Sequence, residues 1–66
     1  MSKYRYEIVA YNQKTNMVVR VQGYVTSSSY FNAMSDSIDD AQVQARMNDT
    51  YLIEFKSIFL ERVYDK

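Results

Sequence analysis

The side chains that most often carry enzyme chemistry are scarce in this 66-residue chain. It has no His and no Cys, so a serine nucleophile would need activation by a carboxylate, a Lys or a Tyr. The run Ser27-Ser28-Ser29 brings three hydroxyls together, but a serine cluster between two predicted elements is typical of a loop. We therefore predict no catalytic residue and expect that the protein is not an enzyme.

Acidic residues gather at Asp36, Asp39 and Asp40, and paired carboxylates can drive hydrolysis. Their predicted place at the start of a helix gives them an electrostatic role there instead. Together with Asp49 they offer oxygen ligands for a metal, but the spacing of a calcium-binding loop is absent. A structural zinc site lacks its His and Cys ligands, and the single glycine, Gly23, cannot form a phosphate-binding loop. No metal and no cofactor are predicted.

Tyrosine is the residue type in surplus, with seven copies. A Tyr ring offers a large rigid surface with a polar tip, and Tyr and Arg are enriched at the centres of protein interfaces. We expect Tyr4 and Tyr6 to lie in the core. The candidate binding residues, predicted to share one exposed face of a sheet, are Arg5, Tyr11, Arg20 and Tyr24.

These residues lie in two segments whose side chains alternate with period two. Residues 3–11 and 17–26 are rich in aromatic and β-branched residues, which favours two strands. The polar segment 12–16 between them has the length of a hairpin loop. Gly23 falls inside the second strand, where a glycine indicates a bulge, a close backbone approach or room for a neighbouring ring.

The segment 26–37 breaks the strand pattern with its serines. We interpret it as irregular or as a short third strand, with the first turns of a long helix as the alternative. Ser37 precedes Asp40 by three residues, close to a capping box, so the sequence predicts a helix from Ser37 to about Asn48. The apolar stripe of this helix consists of Ile38, Ala41 and Ala45, widened by Val43 and Met47.

The segment 51–64 fits either a strand or a helix face. Its Ile, Phe, Tyr and Val content favours a strand, and a bulge near Lys56-Ser57 would reconcile its two halves. The whole pattern predicts one small α+β domain over residues 1–66. Its order is β-β-(β)-α-β, with one helix packed on one face of an antiparallel sheet.

Length and charge limit the partners that we expect. A 66-residue domain without disulfides is only marginally stable by itself, so its stability has to come from a good apolar core, from a homodimer, or from both. The formal net charge of zero argues against nucleic acid as a partner, although rings beside basic residues are typical of single-strand binders. No apolar run is long enough for a membrane span, and the absence of Cys and of a signal peptide predicts a cytoplasmic location.

The leading interpretation is a small protein-binding module that docks through its Tyr/Arg sheet face or an edge strand. Its size and predicted element order resemble those of small phage-encoded proteins that bind and inhibit or modulate a host protein. This resemblance implies a host protein as the partner. Two alternatives stay open: a single-stranded nucleic-acid-binding protein, and a structural protein that associates with itself.

Overall fold

The computed structural model describes residues 1–64 and contains an antiparallel sheet with a helix on one side. The elements follow one another as β1 (Ser2–Asn12), β2 (Val18–Ser27), α1 (Tyr30–Arg46) and β3 (Leu52–Val63). In the sheet the order is β2-β1-β3, so that β1 is the central strand. The predicted α+β class and the single helix on one sheet face are confirmed.

The hairpin of β1 and β2 forms where the alternating residues predict it. Tyr11 pairs with Val18 and Tyr6 with Gly23 in one uninterrupted register. Asn12 holds the connecting loop, because its side-chain Oδ1 accepts hydrogen bonds from the backbone N–H groups of Lys14 and Thr15 at 2.8 and 3.2 Å. Such local bonds are the reason that Asn is common in turns.

The covered face of the sheet, turned toward α1, holds the core. Rings and branched side chains come from the sheet, whereas the helix contributes small residues that recur every fourth position. Small side chains allow a helix to lie close to a sheet, so that the sheet's own side chains fill most of the space. The buried residues of β1 are Tyr4, Tyr6, Ile8 and Ala10, and those of α1 are Ala33, Ser37, Ala41 and Ala45.

The helix begins seven residues before the predicted start, and the interpretation of 26–37 as irregular or strand-like is wrong. Ser29 is the N-cap, and its side chain accepts a hydrogen bond from the Asn32 N–H at 3.1 Å. Ser37, the predicted cap, is buried inside the helix and donates to the Met34 carbonyl oxygen at 2.8 Å. A serine one helical turn from its acceptor satisfies its hydroxyl within the helix, so it does not have to cap one.

The buried stripe of the helix is narrower than predicted. Ala41 and Ala45 are buried and Ile38 packs partly against the core, as expected. Val43 and Met47 are 46 and 80% exposed, so the prediction that they widen the buried face is wrong. Val43 lies two positions beyond Ala41, which places it about 200° around the helix and toward solvent.

The last segment is a strand, as favoured from its composition, and the predicted bulge is confirmed. Val9 pairs with Ser57 and Tyr11 pairs with Ile53, so the three β3 residues 54–56 lie opposite the single residue Ala10. Glu54 has a φ of 49°, a left-handed conformation that non-glycine residues seldom adopt. Bulges of this kind bend an edge strand and increase its local twist.

Candidate functional site

The sheet face that points away from α1 is called here the open face. It carries the odd-numbered residues of β1 from Lys3 to Tyr11, together with the residues that pair with them on β2 and β3. Side chains alternate between the two faces of a strand, so the burial of Tyr4, Tyr6 and Ile8 on the covered face places these odd residues outside. No element within residues 1–64 packs over this face.

All four sequence-predicted binding residues lie on the open face. Arg5 and Tyr24 are direct cross-strand partners, Arg20 lies opposite Val9, and Tyr11 ends the row. Tyr24 is 56% exposed, Arg20 is exposed, and Arg5 and Tyr11 are half-buried. The core positions predicted for Tyr4 and Tyr6 are confirmed, whereas the binding role of the four stays a prediction.

Three aromatic rings on the open face each lie beside a cation. The Lys3 Nζ is 4.8 Å from the ring centre of Tyr24, and the Lys56 Nζ is 5.3 Å from that of Tyr11. The Arg5 guanidinium carbon lies 5.2 Å from the ring centre of Phe59, which belongs to β3. Contacts of this length are attractive, because a cation over a ring interacts with its negative π face.

Lys3, Lys56 and Phe59 are members of the site that the sequence reasoning missed. Lys56 and Phe59 depend on the pairing of β1 with β3, whereas Lys3 has the parity of Arg5 on β1 and follows from the alternation alone. Phe59, for example, is brought to the open face by its register opposite Glu7. A pairing register across some fifty residues leaves no local signal, and the ambiguity of the segment 51–64 concealed which side of β3 faces out.

Two ion pairs hold the polar side chains of the open face in place. The Arg5 Nη2 lies 3.2 Å from the Glu61 Oε1, and the Arg20 Nε lies 3.1 Å from the Glu7 Oε2. Exposed pairs of this kind add little to stability, but they orient both guanidinium groups. With Lys3 and Lys56 included, four basic side chains surround the rings against these two acids, so the open face carries an excess of positive charge.

On the covered face, a polar group is buried at the centre of the sheet. The Tyr6 hydroxyl donates to the Asp40 Oδ2 at 2.6 Å and accepts from the Gln44 Nε2 at 2.8 Å. Burial raises the pKa of Tyr6, and the hydrogen bond to the Asp40 carboxylate and its negative charge raise that pKa further. Tyr6 has no exposed surface, so this group fixes the helix on the sheet and cannot meet a substrate.

The remaining residues with possible chemistry have structural partners. The buried Ser27 hydroxyl donates to the Asp36 carboxylate, and the Ser29 hydroxyl caps the helix. Across residues 1–64, no three acidic side chains come close enough together to hold a metal ion. The one helix in that range is too short and too polar to cross a lipid bilayer.

We compared the chain with family models, with curated proteins and with solved structures, and none of the three comparisons produced a match. No relative therefore supplies a substrate, a partner or a set of site residues. What the open face does has to be inferred from its own residues and their geometry.

Proposed function

We propose that this protein is a non-catalytic protein-binding module that docks its partner on the open face. The observation that carries the proposal is the set of three rings on the open face, Tyr24, Phe59 and Tyr11, each beside a cation and none covered by another element of residues 1–64. Exposed aromatic rings are enriched at protein interfaces. An inhibitor or modulator that covers a surface of a larger protein needs no further chemistry.

The residue types of the open face suit a protein partner. Tyr and Arg dominate interface hot spots, because their flat groups bury large areas and also form hydrogen bonds. Arg5 and Arg20 are already oriented by Glu61 and Glu7, so less side-chain freedom is lost on binding. The excess of basic groups favours a partner surface with acidic residues, because opposite charges speed encounter and select the partner.

A matched pair of variants tests the proposal. Immobilised wild-type protein is exposed to a lysate of the cells that express it, beside the double variant Tyr11→Ala, Phe59→Ala and the control Phe31→Ala. Phe31 is 81% exposed on the helix, away from the open face. We expect the wild type and the control to retain the same protein and the double variant to lose it. Equal retention by the double variant would contradict the proposal.

Single-stranded nucleic acid is the second candidate partner, because rings beside cations on one sheet face can stack with bases. Glu7 and Glu61 lie among these rings, and their charges would repel phosphates. The two candidates differ in the effect of oligonucleotide on tyrosine fluorescence. Quenching that disappears steeply with added salt would support nucleic acid, whereas unchanged emission at low salt would leave the protein partner as the proposal.

A further inference from the structure

We propose that two copies of this chain join through their β2 strands, edge to edge and antiparallel, and form one continuous six-stranded sheet. This inference concerns the outer edge of β2, where Arg20 and Tyr24 also border the open face, and does not depend on the partner proposed for that face. Three observations carry it: the direction of the backbone groups of β2, the regularity of that edge, and the incomplete burial of its valines.

At alternate residues, the backbone N–H and C=O groups of β2 are not used in the pairing with β1. The Asn12 N–H donates to the Met17 carbonyl oxygen at 2.8 Å, which makes this a hydrogen-bonded pair of the β1–β2 ladder. Such pairs recur at every second residue of an antiparallel ladder. In the same register, the intervening residues Arg20, Gln22 and Tyr24 therefore point their N–H and C=O groups away from β1, toward the outer edge.

The two outer edges of the sheet differ in how well they are protected against another strand. On β3, the bulge at 54–56 and the left-handed Glu54 interrupt the edge, and such irregularities discourage edge pairing. The pairing of β2 with β1 runs without a register shift from Ser27 to Val18. Along this length β2 has a single charged residue, Arg20, and no proline.

The apolar side of β2 is less covered than that of β1. Val19, Val21 and Val25 are only partly buried, whereas the β1 residues paired with them are fully buried. Beside Val19 and Val21, a cleft of about 290 Å³ is lined by β2 on one side and by Gln44 and Ala45 of the helix on the other. A further strand at this edge would place apolar side chains over these valines and in this cleft.

The sequence of β2 is complementary to itself when a two-fold axis passes through Gln22. Each Arg20 then lies opposite Tyr24 of the second copy, where a cation meets a ring. Val19 lies opposite Val25, and Val21 opposite Gly23, so that apolar residues meet apolar residues on the covered face. An interface related by a two-fold axis requires this kind of self-complementarity, and a second copy is therefore the occupant that we assign to the edge.

One side chain of the helix now lies at this edge. The Gln44 Nε2 donates to the Gln22 carbonyl oxygen at 3.4 Å and to the Tyr6 hydroxyl at 2.8 Å. The bond to the Gln22 carbonyl oxygen is long, and the bond to the Tyr6 hydroxyl is enough to hold the Gln44 side chain. An incoming N–H of the second copy can therefore replace Gln44 at the Gln22 carbonyl oxygen.

Single-cysteine variants test the register, since the chain has no Cys. With the axis at Gln22, two copies of Gln22→Cys have Cα atoms about 5.5 Å apart, within the range of a disulfide. We expect this variant to give a covalent dimer on mild oxidation. In a dimer of Arg20→Cys, the two sulfurs are separated by about 13 Å along the strands, so this variant alone should give no covalent dimer. A mixture of Arg20→Cys with Tyr24→Cys should cross-link, because these two positions lie opposite each other.

Sedimentation of the unmodified chain over a range of concentrations provides the independent measurement. We expect a reversible dimer that Gln22→Lys weakens at least about tenfold, because the two new charges face each other across the axis. The control Thr26→Lys adds the same charge opposite Val18 and should leave the dimer nearly unchanged. A wild-type monomer at every concentration would overturn the inference and leave the β2 edge to a foreign strand, and equal weakening by both lysines would overturn the register.

Discussion

The two faces of the sheet use tyrosine in opposite ways. On the covered face, Tyr6 is fully buried and its hydroxyl is held by Asp40 and Gln44. On the open face, the ring of Tyr24 is more than half exposed and lies beside Lys3. Both residues belong to strands of the same hairpin. The difference comes from strand parity and from the small residues of α1, which cover one face closely and leave the other to solvent.

The largest expected effect on stability comes from removing a tyrosine ring from the covered face, compared with removing one from the open face. Tyr6→Ala should cost roughly 3–5 kcal/mol, because it leaves a cavity and removes the partner of Asp40. That is comparable with the whole stability of a small domain, so the variant should be largely unfolded at room temperature. Tyr24→Ala should change the free energy of unfolding by about 0.5 kcal/mol or less. Urea unfolding of both variants measures the difference, and equal losses would refute it.

A second substitution tests how tightly the covered face is packed. A Cβ at Gly23 would lie 2.8 Å from the Tyr6 hydroxyl oxygen and 2.9 Å from two of its ring carbons. Gly23→Ala should therefore cost roughly 1–3 kcal/mol through overpacking. The cost should shrink when Tyr6→Leu removes the ring, and a double-mutant cycle measures this coupling. Identical costs in the two backgrounds would show that the ring is not the cause.

The pH dependence of stability should distinguish the buried hydroxyl from the exposed ones. Burial raises the pKa of Tyr6 in the folded state above its unfolded value near 10. The resulting stability is complete below about pH 10 and is lost as the pH rises further, because only the unfolded chain then releases this proton. Above about pH 10, the free energy of unfolding of the wild type should therefore fall by up to about 1.4 kcal/mol per pH unit. Tyr6→Phe should not show this fall. Urea unfolding at pH 9, 10 and 11 compares the two proteins, and parallel curves would contradict the prediction.

The smallest expected effect concerns the part of the helix that the sequence analysis missed. Ser29→Ala removes the N-cap and should cost about 1 kcal/mol. It loosens the first turn, which carries Tyr30 against the ring of Tyr4 at a centroid distance of 6.2 Å. Ser35→Ala, at an exposed position within the same helix, is the control and should be neutral or slightly stabilising. Thermal unfolding of both variants measures the difference, and equal melting temperatures would contradict Ser29 as the N-cap.

The hairpin could be predicted from local sequence, and so could the division of its tyrosines into a buried pair, Tyr4 and Tyr6, and an open-face pair, Tyr11 and Tyr24. Alternation along residues 3–11 and 17–26 sets which side chains share a face, and Gly23 indeed provides room for the ring of Tyr6. The third strand and its bulge also followed from β-forming residues and a change of parity. These features depend on neighbours within a few residues, which the sequence displays directly.

The helix start and the full membership of the open face could not be predicted, since both depend on contacts between distant segments. Asp36 and Asp40 resembled helix-start acids, but they accept hydrogen bonds from Ser27 and Tyr6 on the sheet. Ser37 resembled a helix cap, but it is one of the small buried residues with which the helix packs against the sheet. Phe59 reached the open face only through its register with β1.

The central position of β1 has a consequence for the order of folding. Its partner in the hairpin follows after a short loop, but its other partner is far along the chain, as the pairing of Tyr4 with Arg62 shows. Closing so long a loop slows folding, because its entropy is lost before the contacts form. The hairpin can form first, and β1 then keeps an unpaired edge until β3 pairs with it. Such an edge can pair with another chain, so the folding intermediate that contains only the hairpin is the species of this protein that is most prone to association.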